Sequence, residues 1–287
     1  YAYLSRVVLG PCAPLVALVS AVGVVEAARA VREWDLPPAL RTRTQERRNT
    51  DRAAQDLDEA AAVGARLVTP DDAEWPGWRM VGMGAASANG VAPLALWVRG
   101  ELRLDEATDR AVGIVGTRAP TAYGRNAAGE ISADLACLGW TINSGAAFGI
   151  DAAAHRAALS VPAPTIAMIA CGIDRAYPVA HANLLEQVAK EGLIVTEYPP
   201  GVVPSKYHFL ERNRIIARLA HAVVIVRARV MSGALSTAGF AVAANRPIYA
   251  VPGSPWDDRA AGTNGLIERG ARMLRTVGDL TEGLRAQ

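Results

Sequence analysis

The stretch AVGIVGTRAPTAYGRNAAGEISADLACLGWTINSGAAFGIDAAAH, residues 111–155, decides the fold of this chain. It holds two short apolar runs, Ala111 to Val115 and Trp140 to Asn143, and each run ends in a glycine-bearing turn that leads into a helical pattern. The pattern predicts two successive strand–loop–helix units of a parallel sheet. Glycine lets the backbone approach a ligand closely, and the first amides of a helix are unpaired and favour an anion. The stretch therefore also indicates a phosphate-binding edge.

The alternation of apolar runs and helical patterns continues to the C-terminus. Further strands are predicted at Thr165 to Ala170, Leu193 to Thr196, Ala222 to Val226 and Ile248 to Val251, and helices at 121–138, from about Ile150, and at 181–190, 212–219, 233–244 and 264–270. This order is typical of an α/β fold, a doubly wound, extended Rossmann-like and mostly parallel sheet, over residues 105–287. Ligands of such sheets bind at the carboxyl ends of the strands, so every loop between strand and following helix is a candidate site.

The N-terminal part of the chain has a different pattern. Residues 1–62 are predicted to form a small helical domain, with helices over Pro14 to Ala21, Val24 to Trp34 and Pro38 to Ala62. Residues 63–104 are irregular, with short strands at 67–68 and 94–98, and we interpret them as a connecting segment packed on the sheet.

Composition limits the class of protein. The chain has 287 residues, of which 51% are hydrophobic and 20% charged, and its formal net charge is +2, which neither requires nor excludes a nucleic-acid partner. Cys12, Cys137 and Cys171 form no metal-ligand or redox spacing, so we expect reduced thiols in a cytoplasmic protein. The apolar stretch from Leu15 to Val25 is too short to span a bilayer, and no membrane association is expected.

Cofactors and metals are not expected. A dinucleotide site requires G-x-G-x-x-G at the first turn and an acidic residue after the second strand, and this chain has neither. Asp151 and His155 lie one helical turn apart, but two ligands do not make a metal site. We expect Asp151 to bind backbone N–H groups of the loop Gly145 to Gly149, and His155 to satisfy a buried polar contact.

Arg118 is the first candidate for phosphate binding, because it follows Gly116 and Thr117 at the exit of the first strand. A guanidinium, a hydroxyl and free backbone amides converge there. The residues alone leave a second interpretation open, in which Arg118 pairs with a core carboxylate such as Asp151.

A second candidate group follows a proline-marked loop. Lys206 and Phe209 combine a phosphate-neutralising charge with a ring face on which an unpaired base can stack, and the predicted helix that follows begins with Arg212 and Arg214. The alternative places Phe209 in the core and the two arginines in salt bridges or in the organisation of neighbouring loops.

A third candidate is Ser232-Gly233, which is predicted to cap the helix over 233–244 and to present another cluster of free amides. Arg227 and Arg229 lie just ahead of it.

Seven motifs occur in a fixed order, and they are VGTR at 115–118, SGAAxGIDxxAH at 144–155, CGIDxxYP at 171–178, TEYPPG at 196–201, FxxRNRIIA at 209–217, SGALSTA at 232–238 and VPG at 251–253. Together they resemble the DNA-processing protein A (DprA/Smf) family. The resemblance covers about residues 94–271 closely. It implies an extended Rossmann-like domain that binds single-stranded DNA, forms a homodimer and loads the RecA recombinase on incoming strands during natural transformation.

The resemblance assigns roles to the candidates. It favours DNA contact for Arg118, and it implies that Lys206 and Phe209 touch the strand. Relatives usually carry glutamate at the position of Arg227, so the role of this arginine is open. The predicted DNA-binding residues are Gly116, Thr117, Arg118, Gly145, Lys206, Phe209, Arg212, Arg214, Ser232 and Gly233.

Two other functions are alternatives to DNA binding. The fold is also similar to that of the lysine-decarboxylase-like phosphoribohydrolases, which cleave nucleoside monophosphates with a catalytic glutamate in a P-G-G-x-G-T-x-x-E motif. The matching segment here, 251–266, lacks that glutamate, so general acid or base assistance would be missing and no catalytic residue is predicted. A third interpretation is a pure protein adaptor, which would bind no oligonucleotide.

Overall fold

Nine strands pair into one sheet in the computed structural model, which describes residues 1–80 and 90–285. The strands are β1 (Ala65–Val68), β2 (Leu96–Arg99), β3 (Ala111–Gly116), β4 (Thr141–Ser144), β5 (Thr165–Met168), β6 (Leu193–Thr196), β7 (Ala222–Arg227), β8 (Ile248–Ala250) and β9 (Arg272–Met273). Their order across the sheet is β1-β2-β6-β5-β4-β3-β7-β8-β9. Strands β2 to β6 and β1 to β2 pair antiparallel, and the other pairs are parallel. The predicted α/β fold with a mostly parallel sheet is confirmed.

Helices cover both faces of this sheet, as the near-continuous apolar strands require. The helices are α1 (Ala2–Val8), α2 (Ala13–Val22), α3 (Val24–Glu33), α4 (Pro38–Thr44), α5 (Ala53–Ala62), α6 (Gly77–Met80), α7 (Leu104–Asp109), α8 (Ala122–Cys137), α9 (Ile150–Leu159), α10 (Ala182–Glu191), α11 (Lys206–Leu219), α12 (Gly233–Ala243), α13 (Ala261–Glu268) and α14 (Val277–Arg285). Helices α8, α9 and α14 pack on one face through one apolar cluster, and α11 and α12 pack on the other through a second.

The order in which the chain adds strands to the sheet reverses between β3 and β7, and this reversal determines where a ligand can bind. From β3 the chain moves through β4 and β5 to β6 on one side, and it then crosses back through α11 to β7 on the other side. The loops that leave β3 and β7 therefore diverge, which opens a crevice at the carboxyl ends of these two strands.

Helix α11 begins six residues earlier than the sequence pattern indicated. The predicted helix started at Arg212, whereas the observed one starts at Lys206. The reason is the cap, because the side-chain oxygen of Ser205 accepts a hydrogen bond from the backbone N–H of His208 at 3.3 Å. Lys206 and Phe209, expected to precede the helix, therefore lie on it one turn apart.

The N-terminal helices differ from the prediction at two points, and the first is α1, which no predicted helix covered. The segment predicted as a single helix from Pro38 to Ala62 is broken into α4 and α5 by turns at 45–49 and irregular backbone at 50–52. The side chain of Asp51 accepts the backbone N–H of Ala53 at 3.2 Å just ahead of the second helix, whose N-cap residue Arg52 makes no side-chain capping bond.

The segment 63–104 supplies β1 and β2, the two antiparallel strands at one edge of the sheet. Its residues 81–89 lie outside the described part, and the division of the chain at 62 and 104 stays a prediction. In the described residues no helix combines the length and the apolar character that crossing a bilayer requires. The three cysteines are free thiols.

Candidate nucleic-acid interface

A cavity of about 670 Å³ lies at the carboxyl ends of β3 and β7, in the crevice that the fold predicts. Eight of the ten residues predicted to bind DNA line it. They are Gly116, Thr117, Arg118, Lys206, Phe209, Arg212, Ser232 and Gly233. These eight residues come from three separate segments of the chain, 116–118, 206–212 and 232–233, and meet at one place.

The β3 exit is shaped by close backbone packing. The register with β7 shifts at Gly116, and the N–H of Thr117 donates to the carbonyl of Arg227 at 2.8 Å. Gly149, at the start of α9, has φ +85°, and a Cβ there would lie 2.7 Å from the carbonyl oxygen of Arg118. Only glycine fits, so the β3 and β4 loops can approach each other and turn the Arg118 side chain outward.

Arg118 is exposed, and its guanidinium lies over the ring of Phe209, 5.2 Å from the centroid. Within residues 1–80 and 90–285 it forms no ion pair, so the alternative pairing with Asp151 does not occur. A charge held over an aromatic face and open to solvent is free to meet a phosphate.

Helix α11 carries the second side of the cavity. Lys206 is exposed and has no acidic partner among the described residues, and Phe209 lies one turn further along the same face. The ring of Tyr177 packs against Phe209 with 5.4 Å between the ring centroids. Phe209 is therefore only partly buried, fixed from one side by Tyr177 and covered on another by Arg118.

Arg212 is a buried cation that forms no ion pair with any of the described residues. Only 5% of its surface is exposed, and its Nε makes no hydrogen bond within the described part of the chain. Burial lowers the pKa of Arg212 to about 10; the charge of Asp151 opposes this shift and the charge of Arg118 adds to it. A buried guanidinium that lines a cavity and lacks an anion is suited to receive one.

Gly145 explains how Arg212 can lie there. A Cβ built on Gly145 would overlap Nη1 and Cζ of Arg212 and would lie 2.7 Å from Nη2. Gly145 does not line the cavity, but the absence of its side chain leaves the space that the guanidinium occupies.

Asp151 and His155 have the structural roles that the sequence indicated. The backbone N–H of Ala147 donates to Asp151 at 3.4 Å, amides of Gly116 and Gly145 act on the same carboxylate, and burial raises its pKa. His155 is fully buried and its Nδ1 lies 2.7 Å from the hydroxyl of Thr165. That hydroxyl donates to a carbonyl, so it accepts from Nδ1–H of a neutral imidazole.

Ser232 occupies the N-cap position of α12, as predicted, although its side chain makes no capping bond and its hydroxyl oxygen is buried without a partner. The amide of Asn213 donates to Gly233 O at 3.2 Å and to Ser236 Oγ at 2.9 Å. This contact fixes the start of α12 against α11, so the free amides of the first turn face the cavity.

Arg214 requires a correction. It was predicted to contact DNA, but its side chain is buried and its Nη2 donates to both carboxylate oxygens of Glu197 at 2.7 and 2.8 Å. Further bonds join it to carbonyls of Val91 and Glu211. Two residues along a helix is about 200°, so Arg214 faces away from the cavity that Arg212 lines.

Arg227, whose role the sequence left undecided, is also buried. It forms an ion pair with Asp257 in the loop after β8, and its guanidinium lies 5.5 Å from the ring centroid of Tyr123. It holds the β8 loop rather than lining the cavity.

Sequence reasoning missed four polar residues of the cavity wall, Tyr177, Ser205, Asn213 and Thr237. Tyr177 and Thr237 stood inside quoted motifs, and Asn213 stood between the two arginines, but no signal showed that they would face the same space. No group of three metal-ligating side chains occurs within the described ranges.

Comparison with known proteins gives consistent similarities. A family model described as DNA recombination-mediator protein A matches residues 66–285. The chain is 46% identical over 286 residues to the putative DNA processing protein DprA of Mycobacterium tuberculosis. The aligned region covers 98% of this chain and 74% of that protein.

Solved structures agree over most of the chain. The X-ray structure of DNA processing protein A from Streptococcus pneumoniae has a TM-score of 0.81 at 27% identity, over 98% of this chain and 97% of that one. DNA processing protein A from Helicobacter pylori, whose structure was described for its single-stranded DNA binding mode, has a TM-score of 0.65 at 28% identity, over 77% and 96%.

Proposed function

Since the chain belongs to the family of DNA recombination-mediator protein A, as its motifs predicted, we propose that it binds single-stranded DNA in the cavity at the β3–β7 crevice. The finer role that we propose is to protect incoming single strands and to load the RecA recombinase on them in natural transformation and recombination. We further propose that it does so as a cytoplasmic homodimer, by binding and without catalysis.

The observation that carries this proposal is the convergence of three cations on one cavity. Arg118, Lys206 and Arg212 come from two different segments, and none of them forms an ion pair in the part of the chain that the structure describes. The carboxylate in the cavity wall, Asp151, is bound by backbone amides. The cavity therefore has an excess of positive charge that a phosphate backbone can neutralise.

Phe209 supports a single strand rather than a duplex. Its ring lies in the cavity between Arg118 and Tyr177, where the face of an unpaired base can stack on it. In a duplex the faces of the bases are covered by their neighbours, so a ring at this position would have nothing to stack on.

The test is fluorescence anisotropy of a labelled oligo-dT at several salt concentrations. Arg118→Ala and Lys206→Ala should each weaken binding and flatten the slope of log affinity against log salt by about 0.7, the value for one phosphate contact on a single strand. Phe209→Ala should weaken binding by about 1–3 kcal/mol with little change in slope, because stacking releases few ions.

Two matched controls make the test specific. Lys190→Ala removes an exposed lysine on α10, and Tyr207→Ala removes an exposed aromatic ring next to Lys206 that does not line the cavity. Both should bind like the unmodified chain. Equal binding by the three cavity variants and the controls would refute the site.

The RecA role has a separate test, which is co-purification of RecA with the chain in the presence and absence of single-stranded DNA. Retention of RecA by the chain supports loading. Loss of RecA under both conditions would leave DNA binding intact and contradict the proposed loading role.

The phosphoribohydrolase alternative has no favouring observation. The acidic residue of the cavity wall, Asp151, is tied to the loop backbone, and the expected glutamate is missing from 251–266. Release of free adenine from AMP by the purified chain would overturn the non-catalytic proposal.

A further inference from the structure

Trp256 lies on the loop after β8 with 93% of its surface exposed. Tryptophan is usually largely buried, because its ring carries a large apolar area and gains from being removed from water. An indole left almost entirely in solvent is therefore a feature that the fold itself does not explain.

The loop that carries Trp256 is held firmly on both sides. Asn264 of α13 binds both backbone groups of Gly253, accepting its N–H at 3.1 Å and donating to its carbonyl at 3.0 Å. Buried Arg227 pairs with Asp257, the residue that follows Trp256. The exposure of the indole is thus imposed by a fixed loop and does not result from a loose one.

This loop is continuous with the DNA cavity. Strands β3, β7 and β8 are neighbours, so the exits of β3 and β8 are about 10 Å apart at the usual strand spacing. The loop after β7 reaches both places, with Ser232 in the wall of the main cavity and Arg229 in the wall of a second hollow beside Trp256.

The second hollow, of about 390 Å³, is lined by the indole of Trp256 and by arginine, aspartate and serine side chains. Arg229 is exposed and has no acidic partner among the described residues, which suits it to a phosphate. Asp257 is paired with Arg227 and Arg259, so Asp258 is the unpaired acid in the wall. The local charge is close to balanced, and stacking on the indole is the main attraction that this hollow offers.

We propose that Trp256 and Arg229 form a second subsite for single-stranded DNA, which takes the base and phosphate of a nucleotide that extends beyond the main cavity. The buried pair of Arg227 and Asp257 positions this subsite. The inference rests on the proposed function, since a chain that binds no oligonucleotide has no strand to extend.

The test compares oligo-dT of two lengths, about 2 and about 12 nucleotides, because a dinucleotide is too short to occupy both subsites at once. Trp256→Ala should weaken binding of the longer oligonucleotide about 10-fold and leave the shorter one unchanged. Trp256→Phe retains a ring and should recover most of that loss. Trp78→Ala, which removes a half-exposed indole next to His221 at the amino ends of the strands, is the matched control and should alter neither.

Each other outcome decides against the subsite. Unchanged binding of both lengths by Trp256→Ala overturns it, and an equal loss on both lengths assigns Trp256 to the main cavity instead. Unchanged DNA binding together with a lost self-association or a lost protein partner would make Trp256 a protein contact and also overturn it. Failure of the unmodified chain to bind either length refutes the proposed function, and it is distinguished by the absence of any signal to compare.

Discussion

Gly145→Ala should weaken DNA binding although Gly145 does not line the cavity. The added methyl group would overlap Nη1 and Cζ of Arg212, so the buried guanidinium must leave its place. No positive φ is recorded at Gly145, so the substitution costs little in backbone strain and acts through Arg212. The loss of one charge-assisted hydrogen bond to a phosphate corresponds to about 1.5–3 kcal/mol, or roughly 10- to 150-fold in affinity.

A double-mutant cycle isolates this effect. Arg212→Ala should weaken binding by a similar amount and flatten the salt slope by about 0.7, and the double variant should be no weaker than Arg212→Ala alone, because the group with which the methyl clashes is gone. Anisotropy titrations with oligo-dT at three salt concentrations measure both quantities. Gly129→Ala is the control, since a Cβ on that residue of α8 meets no atom within 4 Å.

Two results would refute this reasoning. If Gly145→Ala binds like the unmodified chain, Arg212 does not contact the strand from its present position. If the losses of the two single variants add, Gly145 acts through something other than Arg212.

The corrected role of Arg214 predicts that Arg214→Leu lowers the free energy of unfolding by about 3–5 kcal/mol, because Glu197 is left buried and unpaired. The double variant with Glu197→Leu should regain most of this in urea unfolding and should keep its affinity for oligo-dT; a lost affinity in a stable double variant would restore Arg214 to the DNA site. Burial lowers the pKa of His155 from 6.5 to about 3, so below pH 6.5 the unfolded chain takes up a proton that the folded chain refuses. The free energy of unfolding should therefore decrease as the pH is lowered, by about 2 kcal/mol between pH 6.5 and 5 from this residue. His155→Gln should show a shallower decrease, and an equal decrease would contradict the assignment.

The Arg227–Asp257 pair settles the position of a side chain that the sequence left open. Arginine at this position does not add a charge to the cavity, because its side chain is buried and paired. It instead ties the end of β7 to the loop after β8, which carries the exposed Trp256.

The sequence alone determined the sheet and the edge at which ligands bind. Apolar runs that alternate with helical patterns can bury both faces only in a parallel sheet, and the glycine-bearing exits of those runs must then share one edge. For that reason the sequence pattern alone assigns Arg118 and Ser232, more than 100 residues apart, to one edge of the sheet. The two-residue strand β9 carried too little pattern to be predicted.

The tertiary structure alone decided which side chains face the cavity. Arg212 and Arg214 lie two residues apart on α11, and periodicity shows that they point in different directions but not which of them points inward. That choice depends on where α11 rests against the sheet, and hence on distant partners, with Glu197 attracting Arg214 and Gly145 leaving room for Arg212. Contacts between residues far apart in the chain leave no local signal, because side-chain burial is set by packing and not by sequence spacing.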